Sequence, residues 1–146
     1  MARPVRIFLV EDHPPDVFLV QKALRENQVD FQLTRFDDGE QVLRALQKQE
    51  QGAAERPDLI ILDLNVPKID GMDILRTIRQ DPALAEVPIA ILTSSRSAQD
   101  RVNAMALGAD RFITKPADLR SFVGIVGGSI KELLNVPGPR SSAQPA

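Results

Sequence analysis

"LIILDLNVP", residues 59–67, runs four apolar residues directly into a carboxylate, Asp63, with Asn65 and Pro67 close behind. An unbroken apolar run this short reads as a strand buried on both faces, the habit of parallel sheets. A charge at the edge of a core costs several kcal/mol unless it is paired or metal-bound. Asp63 therefore predicts a partner, and the rest of the chain shows where to look for one.

Four more stretches read as strands: "VRIFLV" (5–10), "FQLTRF" (31–36), "PIAILT" (88–93) and "DRFIT" (110–114). "FQLTRF" alternates apolar and polar residues and belongs nearer a sheet edge. Helical spacing fills every gap. Val17, Val20, Ala23 and Leu24 make the first stripe, with Pro14 and Pro15 suited to its opening turn. Val42, Leu43 and Leu46 make the second, and Met72, Leu75 and Ile78 the third. Ala98, Val102, Met105 and Ala109 make the fourth, closed by Gly108. Leu119, Phe122, Val123, Val126, Ile130 and Leu133 make the last and longest.

Strand and helix thus alternate five times, which predicts an α/β domain with a five-stranded parallel sheet, right-handed crossovers and helices on both faces. Five units are too few for an eight-fold barrel, so an open, doubly wound sheet with five helices is expected. The domain should occupy 5–134. The segment "NVPGPRSSAQPA", 135–146, is rich in Pro, Gly and Ser and is expected to be a flexible C-terminal tail.

Composition excludes several classes. The formal net charge of −2 offers no basic field for nucleic acid, and there is no Trp or Tyr to stack on bases. The chain has no cysteine, so disulfides, thiolate metal sites and cysteine nucleophiles are out. No stretch is long enough for a membrane span or a secretion signal, and a cytoplasmic protein is expected.

In doubly wound sheets, ligands sit outside the carboxyl ends of the strands. Strand one ends in Glu11 and Asp12, strand three in Asp63, strand four in Thr93 and Ser94, and strand five in Lys115 and Pro116. Three carboxylates, a hydroxyl and an ammonium are delivered to one edge. All-oxygen donors suit Mg²⁺, with Mn²⁺ or Ca²⁺ served by the same chemistry. Asp12 and Asp63 are the expected ligands, Glu11 acts directly or through water, and the backbone carbonyl near Asn65 adds another oxygen. A carboxylate in such a site can attack phosphorus to give an aspartyl-phosphate, with the metal and Lys115 neutralising the phosphoryl oxygens and Thr93 donating its hydroxyl.

Each residue has a plainer reading. Asp63 alone could be a turn former, and Glu11 and Asp12 could favour the next helix N-terminus. Four partners at matching strand ends weigh against the first, while the second is compatible with the metal-binding reading and can hold alongside it. His13 reads as a solvent-facing turn residue, and Gly71 as serving backbone geometry ahead of the third helix.

"VED" (10–12), "DLIILDLNVPKIDG" (58–71), "ILTSS" (91–95) and "ITKP" (113–116) together resemble the receiver domain of two-component response regulators. The resemblance implies the flavodoxin-like strand order 2-1-3-4-5. It implies Asp63 as phosphoacceptor, Glu11 and Asp12 as the acidic pair holding Mg²⁺, Thr93 as switch hydroxyl and Lys115 as phosphate-contacting lysine. Phe112 matches the switch aromatic, without the hydroxyl of the Tyr that is frequent there, and is expected to pack inward behind Thr93. The Lys115–Pro116 bond is often cis in the family. The implied donor is a phosphohistidine on a sensor histidine kinase. The segments "EDHPPDVFLVQKAL" and "LDLNVPKIDG" look similar to single-domain regulators paired with bacterial phytochromes. With no output domain expected, signals would pass by protein contact and not by catalysis on metabolites.

Two rivals follow from the same residues. A phosphatase with an aspartyl nucleophile commonly needs a second Asp two residues on, where this chain has Asn65, which is no acid. A degenerate receiver would serve only as a docking module and take no phosphate. A nucleotide or flavin site lacks its glycine-rich loop. Gly124, Gly127 and Gly128 weaken the last helix, which reads either as a close backbone neighbour on that face or as a flexible helix that tolerates glycine. With Ala104 and Leu107 read as lying off the core stripe, helix four, strand five and helix five form a face for a partner, a second copy included. Phe18, read as outward on helix one, would lie on the family's kinase-docking helix.

Overall fold

The computed structural model describes residues 3–49 and 56–135. The strands are β1 (Val5–Val10), β2 (Phe31–Phe36), β3 (Leu59–Leu62), β4 (Ile89–Thr93) and β5 (Arg111–Thr114). The helices between them are α1 (Pro14–Glu26), α2 (Gly39–Gln49), α3 (Gly71–Gln80) and α4 (Ala98–Ala106). The last helix, α5, opens at Leu119–Ser121, takes a π-helical turn over Phe122–Val126 and continues as Gly127–Asn135. All strand pairs are parallel, in the order β2-β1-β3-β4-β5. Of the expected tail, 135–146, Asn135 ends the last helix and 136–146 lie outside the described residues.

The pleat divides the strands between two cores. Phe8, Val10, Ile60, Leu62 and Ile91 face α2, α3 and α4, while Ile7, Leu9, Leu59, Ile61 and Leu92 face α1 and α5. Both sets are buried, which is why β1, β3 and β4 carry no solvent-facing register. Helix starts are written into short polar residues. Asp70 accepts from Met72 N, Ser97 from Asp100 N and Asp118 from Ser121 N, each satisfying an amide that lacks a partner inside its helix.

Two stripes differ from the sequence reading. Helix α4 turns Ala104 inward, with Leu107 partly buried and Ala109 buried, and leaves Val102 and Met105 exposed at 59% and 43%. Val102 and Met105 lie on one face of this helix and Ala104 on another, so two helical phases compete, and the small Ala104 is the residue that packs inward. On α5, Leu119 is half exposed and burial starts at Phe122. The π turn inserts one extra residue and moves everything before it by roughly 100° in phase. No peptide bond among the described residues is cis, so Lys115–Pro116 is trans, the isomer favoured by about 0.5–1 kcal/mol.

The expected close neighbour of α5 belongs to this chain. A Cβ on Gly127 would meet Asn27 Nδ2 at 2.0 Å and the Ala23 carbonyl oxygen at 2.7 Å, while Gly124 and Gly128 face open space. Asn27 Nδ2 also donates to Ala23 O and Val123 O, at 2.8 and 3.1 Å, tying α1 to α5. Gly127→Ala is expected to destabilise by about 1–3 kcal/mol through overpacking. Gly128→Ala should stabilise by about 0.5–1 kcal/mol through helix propensity. Urea denaturation of the two variants gives opposite signs if this packing is right.

Arg79, at the end of α3, collects a second set of ties. Its guanidinium donates to the carbonyls of Gly108, Leu84 and Ala85 at 2.9, 3.2 and 3.2 Å and to Asp110 Oδ2 at 3.0 Å. Gly108 stands at φ +108°, open to glycine, and an added Cβ would press on the Arg79 side chain.

Candidate functional site

The strand register ends β1 and β3 level, since Val10 pairs with both Phe36 and Leu62. The ladder then runs one residue further. Glu11 N donates to Phe36 O, Asp63 N to Val10 O and Lys115 N to Thr93 O, at 3.0, 3.0 and 2.7 Å. These bonds fix the backbones of Glu11, Asp63 and Lys115 at one edge before any side chain is considered.

Oxygens of Glu11, Asp12 and Asp63 lie within 4.8 Å of one another, with Asp12 exposed and the other two buried. This all-oxygen, triply acidic donor set fits a hard divalent cation. Lys115 Nζ lies 2.9 Å from Glu11 Oε1, 2.9 Å from Asp63 Oδ2 and 2.8 Å from Asp16 Oδ2. Glu11 Oε1 has no well-aligned hydrogen bond, so its link to Lys115 is one of charge and proximity.

Burial pushes the Glu11 carboxyl up to about 7, opposed by Lys115 and reinforced by the charge of Asp63. For Lys115, burial works against the ammonium, but the carboxylates of Asp16, Glu11 and Asp63 around it outweigh that effect and hold the group above the ordinary lysine range. Burial also acts to raise Asp16. Its bonds to Lys115 and His13 win, and it sits below the ordinary carboxylate range.

Asn65 N donates to Asp63 Oδ1 at 3.1 Å, and Asn65 Nδ2 reaches Thr93 Oγ1 at 3.4 Å. Thr93 is wholly buried and its hydroxyl also accepts from Ser95 N at 3.3 Å. Phe112 does not reach the carboxylates. It packs into the core beside α4, with the Arg101 guanidinium 4.9 Å from its ring centre. Pro116 is partly buried beyond Lys115. The Gly71 N–H donates to Leu64 O at 3.1 Å, and a Cβ there would come within 2.4 Å of Leu64 Cα. His13 is exposed, with Nδ1 3.0 Å from Asp16 Oδ2.

Asp16 is the site residue that sequence reasoning missed. It sits in the first turn of α1, four positions after Asp12, on the same loop that leaves β1. Reading one helical turn past each strand end would have found it.

The model of the response regulator receiver domain family matches residues 7–126. The response regulator Rcp1 of Synechocystis is 37% identical over 86% of this chain and 86% of its own length. The crystal structure of the phosphorylated cyanobacterial phytochrome response regulator RcpA is similar with a TM-score of 0.81 at 37% identity, over 91% of this chain and 96% of that one. The Mn²⁺-bound form of Rcp1 has the same TM-score at 36% identity and the same coverage. Two further relatives are transcriptional regulators, of which the chain spans 51% and 52%. No helix among the described residues is long and apolar enough to cross a membrane. With the sheet order, the acidic cluster and these likenesses in agreement, this chain belongs to the response regulator receiver domain family.

Proposed function

We propose that the chain is a phosphorylation-dependent switch that accepts a phosphoryl group on Asp63 from a phosphohistidine of a sensor histidine kinase. The observation that carries this reading is the Lys115 ammonium placed 2.9 Å from both Asp63 and Glu11, inside an acidic cluster. In the step, an Asp63 carboxylate oxygen forms a bond to phosphorus while the phosphorus–nitrogen bond breaks and imidazole leaves. Lys115 supplies positive charge to the phosphoryl oxygens, and Thr93 supplies a hydroxyl hydrogen bond.

Glu11, Asp12, Asp63 and the Asn65 backbone carbonyl would hold Mg²⁺, or Mn²⁺ in its place, and the ion when bound supplies charge neutralisation at the phosphoryl group. The likeness to a Mn²⁺-bound and to a phosphorylated relative supports this reading. The same likeness favours a phytochrome-type kinase as donor. The chain would act in the cytoplasm and signal through contacts, not by turnover of a metabolite. Inward movement of Thr93 on phosphorylation and repacking of Phe112 would alter the face of α4, β5 and α5, where Val102, Met105 and Ile125 are exposed. A second copy of the chain is one partner for that face, and light scattering on free and phosphorylated protein reads it directly.

The deciding experiment is incubation with acetyl phosphate and Mg²⁺, followed by intact mass. One added phosphoryl group is expected, and none when the metal is chelated. A chain left unmodified under both conditions favours the docking-module reading.

Metal binding should also depend on pH. A Glu11 carboxyl at about 7 must lose its proton to act as a ligand, so Mg²⁺ affinity should fall by up to about tenfold per pH unit below 7. Calorimetry in buffers of different ionisation enthalpy should show proton release in wild type. Glu11→Gln should bind more weakly, without that release.

A further inference from the structure

Lys115 Nζ has three N–H groups, and three carboxylate oxygens stand within 2.9 Å of it, from Glu11, Asp16 and Asp63. These three acceptors are not equivalent. Asp63 is the group that reacts. Glu11 belongs to the acidic cluster that fits a cation, together with Asp12 and Asp63. Asp16 belongs to neither set. Its oxygen makes the shortest of the three contacts, a hydrogen bond of 2.8 Å, and it comes from the first turn of α1, where the backbone is set by Pro14 and Pro15.

When a phosphoryl group approaches Asp63, the ammonium must redirect N–H groups from the carboxylates to the phosphoryl oxygens. An ammonium at the end of a four-carbon stem has rotatable donors and no orientation of its own. One partner that neither reacts nor turns to a cation would hold it in place while the other donors swing. His13 Nδ1, 3.0 Å from Asp16 Oδ2, anchors that partner from the solvent side. We propose that Asp16 is a positioning residue for Lys115, keeping its ammonium aimed at the phosphoryl group throughout transfer to Asp63.

This rests on Asp63 being the phosphoacceptor, and the test separates the two claims. The rate of phosphorylation by acetyl phosphate with Mg²⁺ is followed by intact mass in wild type, Asp16→Ala, Lys115→Met and the double variant. In each, a bond forms from Asp63 to phosphorus, the bond from phosphorus to the acetyl oxygen breaks, and acetate leaves. Asp16→Ala should slow the reaction by about ten- to a hundredfold in the wild-type background, the upper end being what a misplacement of about 1 Å costs. In the Lys115→Met background the same change should alter the rate by less than about twofold, because nothing remains to position. Asp16→Ser, which also suits a helix start but is too short to reach Lys115, should match Asp16→Ala and guards against a folding artefact. An unchanged rate in Asp16→Ala, or an equal loss in both backgrounds, overturns the proposal. A wild-type chain that takes up no phosphoryl group removes the Asp63 reading, and the proposal with it.

Discussion

Asp63→Asn is expected to abolish phosphoryl uptake, from acetyl phosphate and from a phosphohistidine donor alike, with a rate loss of about three orders of magnitude or more. The amide matches the carboxylate in shape but is not a nucleophile toward phosphorus. The fold should survive, because Lys115 keeps Glu11 at 2.9 Å and Asp16 at 2.8 Å. Removing the Asp63 charge also relieves one of the influences that raise the Glu11 carboxyl, so crowding at the strand edge falls. The variant should therefore melt near wild type while remaining unmodified. Intact mass after prolonged exposure to acetyl phosphate and Mg²⁺ reads the first half, and thermal denaturation the second. Undiminished phosphorylation of the variant would place the acceptor elsewhere.

Lys115→Met is expected to have the largest effect on stability. It leaves Glu11 and Asp63, exposed at 1% and 5%, without their shared cation. Breaking a buried ion pair from one side costs about 3–5 kcal/mol, a large share of the roughly 5–15 kcal/mol that holds a domain together. The loss should depend on pH. In wild type the folded Glu11 carboxyl already sits near 7, above its ordinary value of 4.5. Between those values the folded state binds more protons than the unfolded one, so this group's stabilisation is full below 4.5 and is lost as pH rises through about 7. Without Lys115 the carboxyl is pushed further up, so the decline extends to higher pH and the total loss grows. Urea denaturation of the metal-free variant should show a small deficit against wild type at acid pH and the full deficit at pH 8. Mg²⁺ should restore part of it, because the ion supplies the missing positive charge. A deficit independent of pH and metal would mean that Lys115 acts through packing alone.

Much of this was legible in the sequence, because the signals that carry it are local. "LIIL" and "VRIFLV" are apolar on successive residues, so burial on both faces followed directly, and with it the parallel sheet. Once strands are parallel, their ends share an edge, and Glu11, Asp12, Asp63, Thr93 and Lys115 come together by topology. What was missed depends on phase and reach. Helix α4 carries apolar residues on two faces, Val102 and Met105 on one and Ala104 on another, and its packing in the fold turns Ala104, not Val102, inward. The π turn that carries Leu119 out of the α5 stripe leaves no mark on apolar spacing. Asp16 belongs to the site because Lys115, 99 residues away, reaches back to it in the first turn of α1, one turn beyond the strand end.

The Arg79 guanidinium fixes helix α4 at one end only. Its bonds hold Gly108 and Asp110, just past the helix, to the end of α3 and the turn that follows. The opposite end begins at Ser97, after the loop whose Ser95 amide leans on the Thr93 hydroxyl. The loop before Ser97 is tied to β5 by one side-chain bond, Thr114 Oγ1 to Ser95 O at 3.0 Å, so a pull arriving through Thr93 acts on the more lightly tied end of a lever with its fulcrum at the far one. The widest excursions should fall on the opening turn of α4, and the stretch beside Gly108 should stay still.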